Sequence, residues 1–385
     1  MKEGWEEKKL GDVCEEITDG SHFSPKSTNN EKYPYVTVRD IVNDEIDFIN
    51  CKFINEEDYQ ILIKNGCKPN LGDILFSKDG TVGKVSLINY EKEFVVLSSL
   101  AIIRPNHKLI DPYFLKYVLK SPEFIKTAIG QKTGVAIRRI ILKNLKQICV
   151  NYPKSLEEQK KIVAILDEAF AAIDEAKANI QKNIENAGEL FQSRLNEIFS
   201  QKGEDWEEKK LGEVCENLDS KRIPITKNIR KNGLVPYYGA SGIVDYVENY
   251  IFDEELLLVS EDGANLLART YPIAFSISGK TWVNNHAHVL KFKEITSQIF
   301  IEYYLNSIKL DDYVSGMAQP KLNQKMLNSI VVPFPSMDIQ EKVVNQLDSL
   351  SEEITIVNEK NRVKINLLDE LKKSLLQKAF AGELT

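Results

Sequence analysis

The eleven residues "WEEKKLGDVCE" begin at Trp5, and "WEEKKLGEVCE" begin at Trp206, 201 positions later. A chain that starts twice is constrained to fold as a repeated unit, so the end of the repeat decides what that unit is. "TGVAIRRIILKNLKQICVNYP" (133–153) aligns without gaps on "SGMAQPKLNQKMLNSIVVPFP" (315–335). "EQKKIV" (158–163) aligns on "IQEKVV" (339–344), and "ELFQSRLNEIF" (189–199) on "ELKKSLLQKAF" (370–380). Between the two ends, "DILFSKDGTVG" (73–83) resembles "ELLLVSEDGAN" (255–265), and "FLKYVLKS" (114–121) resembles "FIEYYLNS" (300–307). The offset shrinks along these blocks, so the first globular part is the longer by about twenty residues. The order is globular part, helix, globular part, helix, with expected bounds 1–153, 154–201, 202–335 and 336–385.

The helical segments carry the clearest periodicity. In the first, Ile162, Leu166, Ala169, Ile173, Ala176, Ile180, Ile184, Ala187, Phe191, Leu195 and Ile198 recur at steps of three and four. In the second, Val343, Leu347, Leu350, Ile354, Val357, Ile365, Leu368, Leu371 and Leu375 do so. Neither stretch contains proline, and one apolar stripe per helix must be covered, which predicts an antiparallel coiled coil of the two, each roughly 40 residues long. Asn361 falls on the second seam where Ile180 stands in the first; it sets register or faces a wet edge. The globular parts alternate strand-like runs with short helical patterns and Gly-containing turns in no βαβ ladder, which predicts α+β units with a curved sheet.

Composition narrows the function. No apolar run approaches the roughly 18 residues of a membrane span, and the start "MKEGWEEKK" has no apolar core of the export type, so a cytoplasmic protein is expected. The five cysteines are never spaced C-x-x-C and read as reduced thiols, most of them buried. The net charge of −7 argues against general nucleic-acid adhesion. Two local runs go the other way: residues 105–153 hold nine Lys/Arg against two acids, and "KRIPITKNIRK" (221–231) holds five cations and no acid. Such patches suit phosphate contact by a limited surface.

Catalytic signatures are scarce. There is no phosphate loop of the G-x-x-x-x-G-K-[ST] type and no G-x-G-x-x-G fingerprint. "DPYF" (111–114) resembles the adenine-holding motif of amino-methyltransferases but lacks its second proline; the spacing fits a helix start with Asp111 as N-cap and Pro112 at N1. "HAH" (286–288) offers two histidines with no third metal ligand and reads as a core and surface pair. With four histidines in all, little is left for acid–base chemistry. No cofactor is expected, and a binding role is favoured over an enzyme.

The duplicated order, together with "DGSHFSPKS", "GDILFSKDGTVG", "VPYYGASGIVDYVENYIFDEELLLVSEDGANL", "PKSLEEQKKIVAILD" and "KAFAGEL", resembles the specificity subunit of type I DNA restriction–modification systems over essentially the whole chain. The resemblance implies two target recognition domains of the methyltransferase DNA-recognition type, each reading one half of a bipartite, asymmetric site on double-stranded DNA. It implies that the helices set the spacing and dock modification subunits, two of them, with two restriction subunits outside. It implies no catalysis by the chain itself. A fused restriction–modification enzyme and a coiled-coil adaptor that binds no DNA are the competing readings. Candidate DNA-contacting residues are Lys78, Asp79, Thr81, Lys84, Lys132, Arg138 and Arg139 in the first domain, and Lys221, Arg222, Ser241, Glu261, Asn265, Gln319 and Lys321 in the second. Asn, Gln and Arg among them suit bidentate contact with base edges. The closing "AFAGELT" and the opening "MKEGWEEKKLG" read as one junction cut open, continuous in the middle of the chain as "SQKGEDWEEKKLG"; a pseudo-two-fold, circular arrangement with neighbouring termini is expected.

Overall fold

The residues that repeat best are strands that pair with each other. Trp5–Lys9 runs antiparallel to Cys149–Pro153, and Glu207–Lys210 runs antiparallel to Val331–Phe334. The opening "WEEKK" and the closing "CVNYP" or "VVPFP" are thus the two sides of one ribbon, which is why both ends of the repeat are legible when its middle is not. The computed structural model describes residues 2–28, 32–130, 140–201, 203, 206–316 and 319–384. It divides into two units, Met1–Ile180 with Arg362–Thr385, and Gln181–Asn361.

Each unit carries a four-stranded antiparallel sheet of the same order. In the first it is Cys14–Asp19, Leu100–Pro105, Ile74–Ser77, Val85–Leu87; in the second Glu216–Asn217, Ala287–Lys291, Leu256–Ser260, Ala274–Ile277. A second sheet in each contains one parallel pair, Tyr33–Val36 beside Val95–Val96 and Asn232–Gly239 beside Lys280–Val283. The central strands Ile74–Ser77 and Leu256–Ser260 are buried at every position, as strands covered on both faces must be. This is the α+β arrangement expected.

Two helices of 45 residues, Leu156–Ser200 and Met337–Ala381, contribute to both units. Three clasps hold them to the globular parts, and each occurs twice. Trp5 packs edge-on to Phe114 and Phe114 to Phe380, as Trp206 packs on Phe300 and Phe300 on Phe199. Tyr117 donates to Asp167, and Tyr303 donates to Asp348 at 2.6 Å. Gln159, fully buried, donates to the carbonyls of Leu109 and Pro153 at 3.0 and 2.8 Å and accepts from the Asp111 amide at 2.7 Å. Its counterpart Gln340 donates to the Pro335 carbonyl and accepts from Ser297 Oγ at 2.7 Å. A buried amide with every partner satisfied fixes orientation as apolar packing alone does not. Asp111 caps the helix Pro112–Lys120 by accepting from the Tyr113 and Phe114 amides at 3.0 and 3.1 Å, so "DPYF" is a helix start.

In the first unit the long helices run antiparallel, with reciprocal ion pairs Asp174–Lys372 at 2.5 Å and Lys177–Asp369 at 2.6 Å. Ile162, Leu166, Phe170 and Ile173 from one and Leu376 and Ala379 from the other join the core. Two residues assigned to the seam are not on it: Val357 is 47 % and Leu371 46 % exposed, and the neighbouring Asn358 and Lys372 turn inward instead. Repeated steps of three and four leave that choice open by one residue, since 3.6 residues per turn do not match a 3.5-residue seam. Asn361 is 6 % exposed, which removes the wet-edge reading.

The two ends of the first unit meet. A Cβ on Gly382 would stand 2.8 Å from Lys2 Cδ, and Trp5 Nε1 donates to Glu158 at 3.2 Å. A circular permutant that links Thr385 to Met1 through a short Gly-Ser linker and opens the chain at 202–205 is expected to melt within a few degrees of the parent by calorimetry. No cysteine is in a disulfide; burial pushes the Cys14 and Cys215 thiols up to about 12, so both stay protonated. No helix among the described residues is long and apolar enough to cross a membrane.

Candidate nucleic-acid interface

The sheet in each unit ends in a turn and a covering loop, and strand pairing shows which residues correspond. Phe76 pairs with Val85 and Val259 with Ala274, so Ser77 corresponds to Ser260 and Lys78 to Glu261. The backbone agrees: the Lys78 amide donates to the Ser99 carbonyl and its carbonyl accepts from Ile140, while Glu261 does the same with His286 and Leu322. This corrects the gapless alignment of 73–83 on 255–265, which sets Lys78 against Ser260 and is displaced by one residue. Gly80 and Gly263 turn the chain just beyond, at φ of 66° and 112°, where a side chain would be strained.

The corresponding positions carry opposite charge. In the first unit Lys78 is 2 % exposed, with its Nζ 3.1 Å from Asp19 Oδ1 and 3.9 Å from Asp79 Oδ2. In the second, Glu261 is 9 % exposed; its Oε2 accepts from Arg222 at 2.6 Å and its Oε1 lies 3.1 Å from Lys321 Nζ. Asp219, at the register position of Asp19, lies 2.6 Å from His288 Nδ1 and 3.4 Å from Arg222. Burial pushes the Asp219 and Glu261 carboxyls up, but the His288 and Arg222 contacts, with Lys321 at Glu261, outweigh it and hold both below the usual range. Asp219, Glu261 and His288 each bring a ligand-type atom within 4.8 Å of one another. Both ring nitrogens face hydrogen-bond acceptors, Asp219 and the Leu322 carbonyl, so the ring directs no free lone pair at a cation.

The candidate contact residues divide into two kinds. Lys84 Nζ donates to the carbonyls of Val38 and Ile41 at 3.2 and 2.6 Å, and Arg222 also binds the Ala287 carbonyl at 2.7 Å. Asn265, 8 % exposed, accepts from the Thr270 amide and donates to the Tyr271 carbonyl. With Lys78 and Glu261, these side chains are spent inside the fold. Asp79 is half-buried, whereas Thr81, Lys221, Ser241, Gln319 and Lys321 are exposed; Ser241 Oγ is 3.1 Å from Tyr271 OH. Lys132, Arg138 and Arg139 lie outside the described residues. Arg222, Glu261 and Lys321 form one cluster with Asp219 and His288, two residues not chosen from the sequence. Their signal was faint: the strand pattern alternates, so His288 of "HAH" and its neighbours could be assigned a face, but not a partner 69 residues away.

Lys78 is the sharpest case. Lys78→Ala leaves two acids without their cation and is expected to cost the first unit about 3 kcal/mol in urea denaturation, whereas Thr81→Ala at the exposed turn changes stability by less than about 0.5 kcal/mol.

A family model for the "Type I restriction modification DNA specificity domain" matches the chain twice, over residues 2–186 and 203–366. A putative type I restriction enzyme specificity subunit of Haemophilus influenzae is 36 % identical over 159 residues, 40 % of this chain and 41 % of that protein. The putative MjaX specificity subunit of Methanocaldococcus jannaschii is 26 % identical over 100 % of this chain and 94 % of its own. The fold is similar to that of a chain from the structural work on assembly and conformational transition of the type I R-M system, with a TM-score of 0.75 at 18 % identity, covering 100 % and 99 % of the two chains. It is also similar to the HsdS subunit of Thermoanaerobacter tengcongensis, with a TM-score of 0.58 at 18 % identity over 100 % and 98 %. Two tandem DNA-specificity domains define the class. The chain belongs to the family of type I restriction–modification specificity subunits.

Proposed function

We propose that this chain is the sequence-reading subunit of a cytoplasmic type I restriction–modification complex: each domain reads one half of a bipartite, asymmetric DNA site, and the chain itself catalyses nothing. The observation that carries this reading is the inverted charge at Lys78 and Glu261 on an otherwise repeated scaffold. Two domains of one topology but different loops and floors suit two different half-sequences, where identical domains would suit a palindrome. Exposed polar groups on the loops, Thr81 in the first domain and Lys221, Ser241, Gln319 and Lys321 in the second, are of the types that contact phosphates and base edges. Lys132, Arg138 and Arg139 are further proposed contacts of the first half, on the strength of their residue types alone, and half-buried Asp79 is another.

The long helices supply the docking faces. Ile165, Leu190, Ile356, Val357, Val363 and Leu367 are 40–58 % exposed on them, more apolar surface than helices with no partner need. Two modification subunits would dock there, one per repeat, and bring the methyl donor and the adenine chemistry; two restriction subunits would join outside them.

Nuclease protection by the full chain with its modification subunit tests the reading: two protected patches flanking an accessible spacer are expected, and absence of any sequence-specific protection would favour a protein-binding adaptor. Arg138→Ala is expected to weaken or relax one half-sequence alone, by about 1–3 kcal/mol for a lost bidentate base contact, measured on duplexes with single-base changes. An equal loss at both halves would assign Arg138 to the shared scaffold.

A further inference from the structure

In the second unit the segment around Lys321 is tied down on the sheet. The Gly263 amide donates to the Pro320 carbonyl at 3.0 Å, Ser315 and Lys321 exchange backbone hydrogen bonds at 2.9 and 2.8 Å, and the Leu322 amide donates to Glu261. One buried ring lies beneath this anchor. His288 is 1 % exposed; its Nδ1 is 2.6 Å from Asp219 Oδ2 and its Nε2 is 2.7 Å from the Leu322 carbonyl oxygen.

Both of those partners are acceptors. The carbonyl has no proton to give, and Asp219 also accepts the Val289 amide at 2.9 Å through its other oxygen. A neutral imidazole has one N–H and one lone pair, so it would satisfy one partner and set its lone pair against the other. Only the doubly protonated ring donates to both. The charged groups that face it are Asp219 and Arg222 from the turn 219–222, Glu261, whose Oε2 is 3.8 Å from Nδ1, and Lys321 beyond Glu261. Two acids and two fixed cations leave the ring's proton as the charge that varies. The first unit has Ala101 at this register position, so it contains no such group.

We propose that His288 is a positioning residue for the second half-site: its imidazolium ties Leu322, and with it Lys321 and Gln319, to the floor of the domain, and loss of one ring proton releases them. This rests on the DNA-reading function proposed above. The sign is fixed by the geometry. The Asp219 carboxylate holds the proton on Nδ1, so the proton on Nε2 is the one given up to base, and with it goes the tie to Leu322; reading of the second half therefore weakens with rising pH. The first half, with alanine at that place, does not follow.

Two measurements on the full chain test this. The first is a ¹⁵N spectrum of histidine-labelled protein over a pH series, tractable because the chain has four histidines and His288→Gln assigns the signal. Both ring nitrogens of His288 are expected to carry protons and one to be lost as pH rises; a single neutral tautomer throughout the range in which the chain is folded would overturn the proposal. The second is affinity of the chain with its modification subunit for duplexes in which one half-sequence is scrambled. Over a pH series within which the chain stays folded, the second half is expected to lose roughly tenfold more affinity than the first, in step with the proton loss. His288→Gln should weaken the second half at low pH and abolish the difference, while His286→Asn, altering the exposed neighbour that contacts Asp262 at 2.8 Å, should leave it. If His288→Gln does not fold, Asp219→Asn decides: the transition moves to lower pH, and an unmoved transition contradicts the proposal. Equal pH dependence of the two halves also overturns it. If the wild type prefers neither half over scrambled DNA, the DNA-reading function fails instead, and the nitrogen spectrum still reports on the ring.

Discussion

Removing residues 173–179 and 354–360, one heptad from each long helix, is expected to shorten the non-specific spacer of the recognised site and leave both half-sequences intact. Seven residues at 1.5 Å each are ~10 Å of helix, close to about three base-pair steps of 3.4 Å. Deleting a whole heptad keeps the seam in phase, although it removes both Asp174 and Lys177 and with them the ion pairs to Lys372 and Asp369. Duplexes of the original spacing should then engage one domain at a time and lose on the order of a hundredfold or more in affinity, part of the span that separates specific from non-specific binding. The check is affinity across a series of spacer lengths. Changed half-sequences with an unchanged spacer would refute the helices as a ruler.

Replacing residues 1–150 by the first domain of another family member is expected to rewrite one half of the site and preserve the other. The graft crosses the clasps at Trp5, Phe114 and Tyr117, so the donor must supply an aromatic and a tyrosine there to grip Phe380 and Asp167. Each mismatched base pair costs about 1–3 kcal/mol, so three changed positions would abolish recognition of the old half. Loss of both halves from a folded graft would mean that the domains do not read independently.

The repeat and the helices were legible because they are periodic and because the chemistry they repeat is local. Paired strands carry the same opening and closing words, and an apolar stripe can be counted. The exact seam was not legible, since Val357 and Asn358 differ by one position and only the packing of the partner helix chooses between them. The contact residues were the least legible. Lys78, Lys84, Arg222 and Glu261 look like loop polar groups in one dimension, yet each is committed to atoms that the fold brings from elsewhere: Asp19 lies 59 positions before Lys78, and Glu261 lies 39 after Arg222. A charge in a turn reads outward or inward according to a partner that no local window contains. The same reason hid His288 and Asp219, whose pairing exists only after strands from both ends of the domain meet in one sheet.

On the proposed function, two diverged domains on one scaffold give the complex two different half-sequences at a fixed distance. Co-expressing the chain with a modification subunit and mapping N6-methyladenine across the host genome tests it most directly. One motif with two unlike specific halves separated by a constant run of unspecified bases is expected. A palindromic or uninterrupted motif, or no methylation from a properly assembled complex, would contradict it.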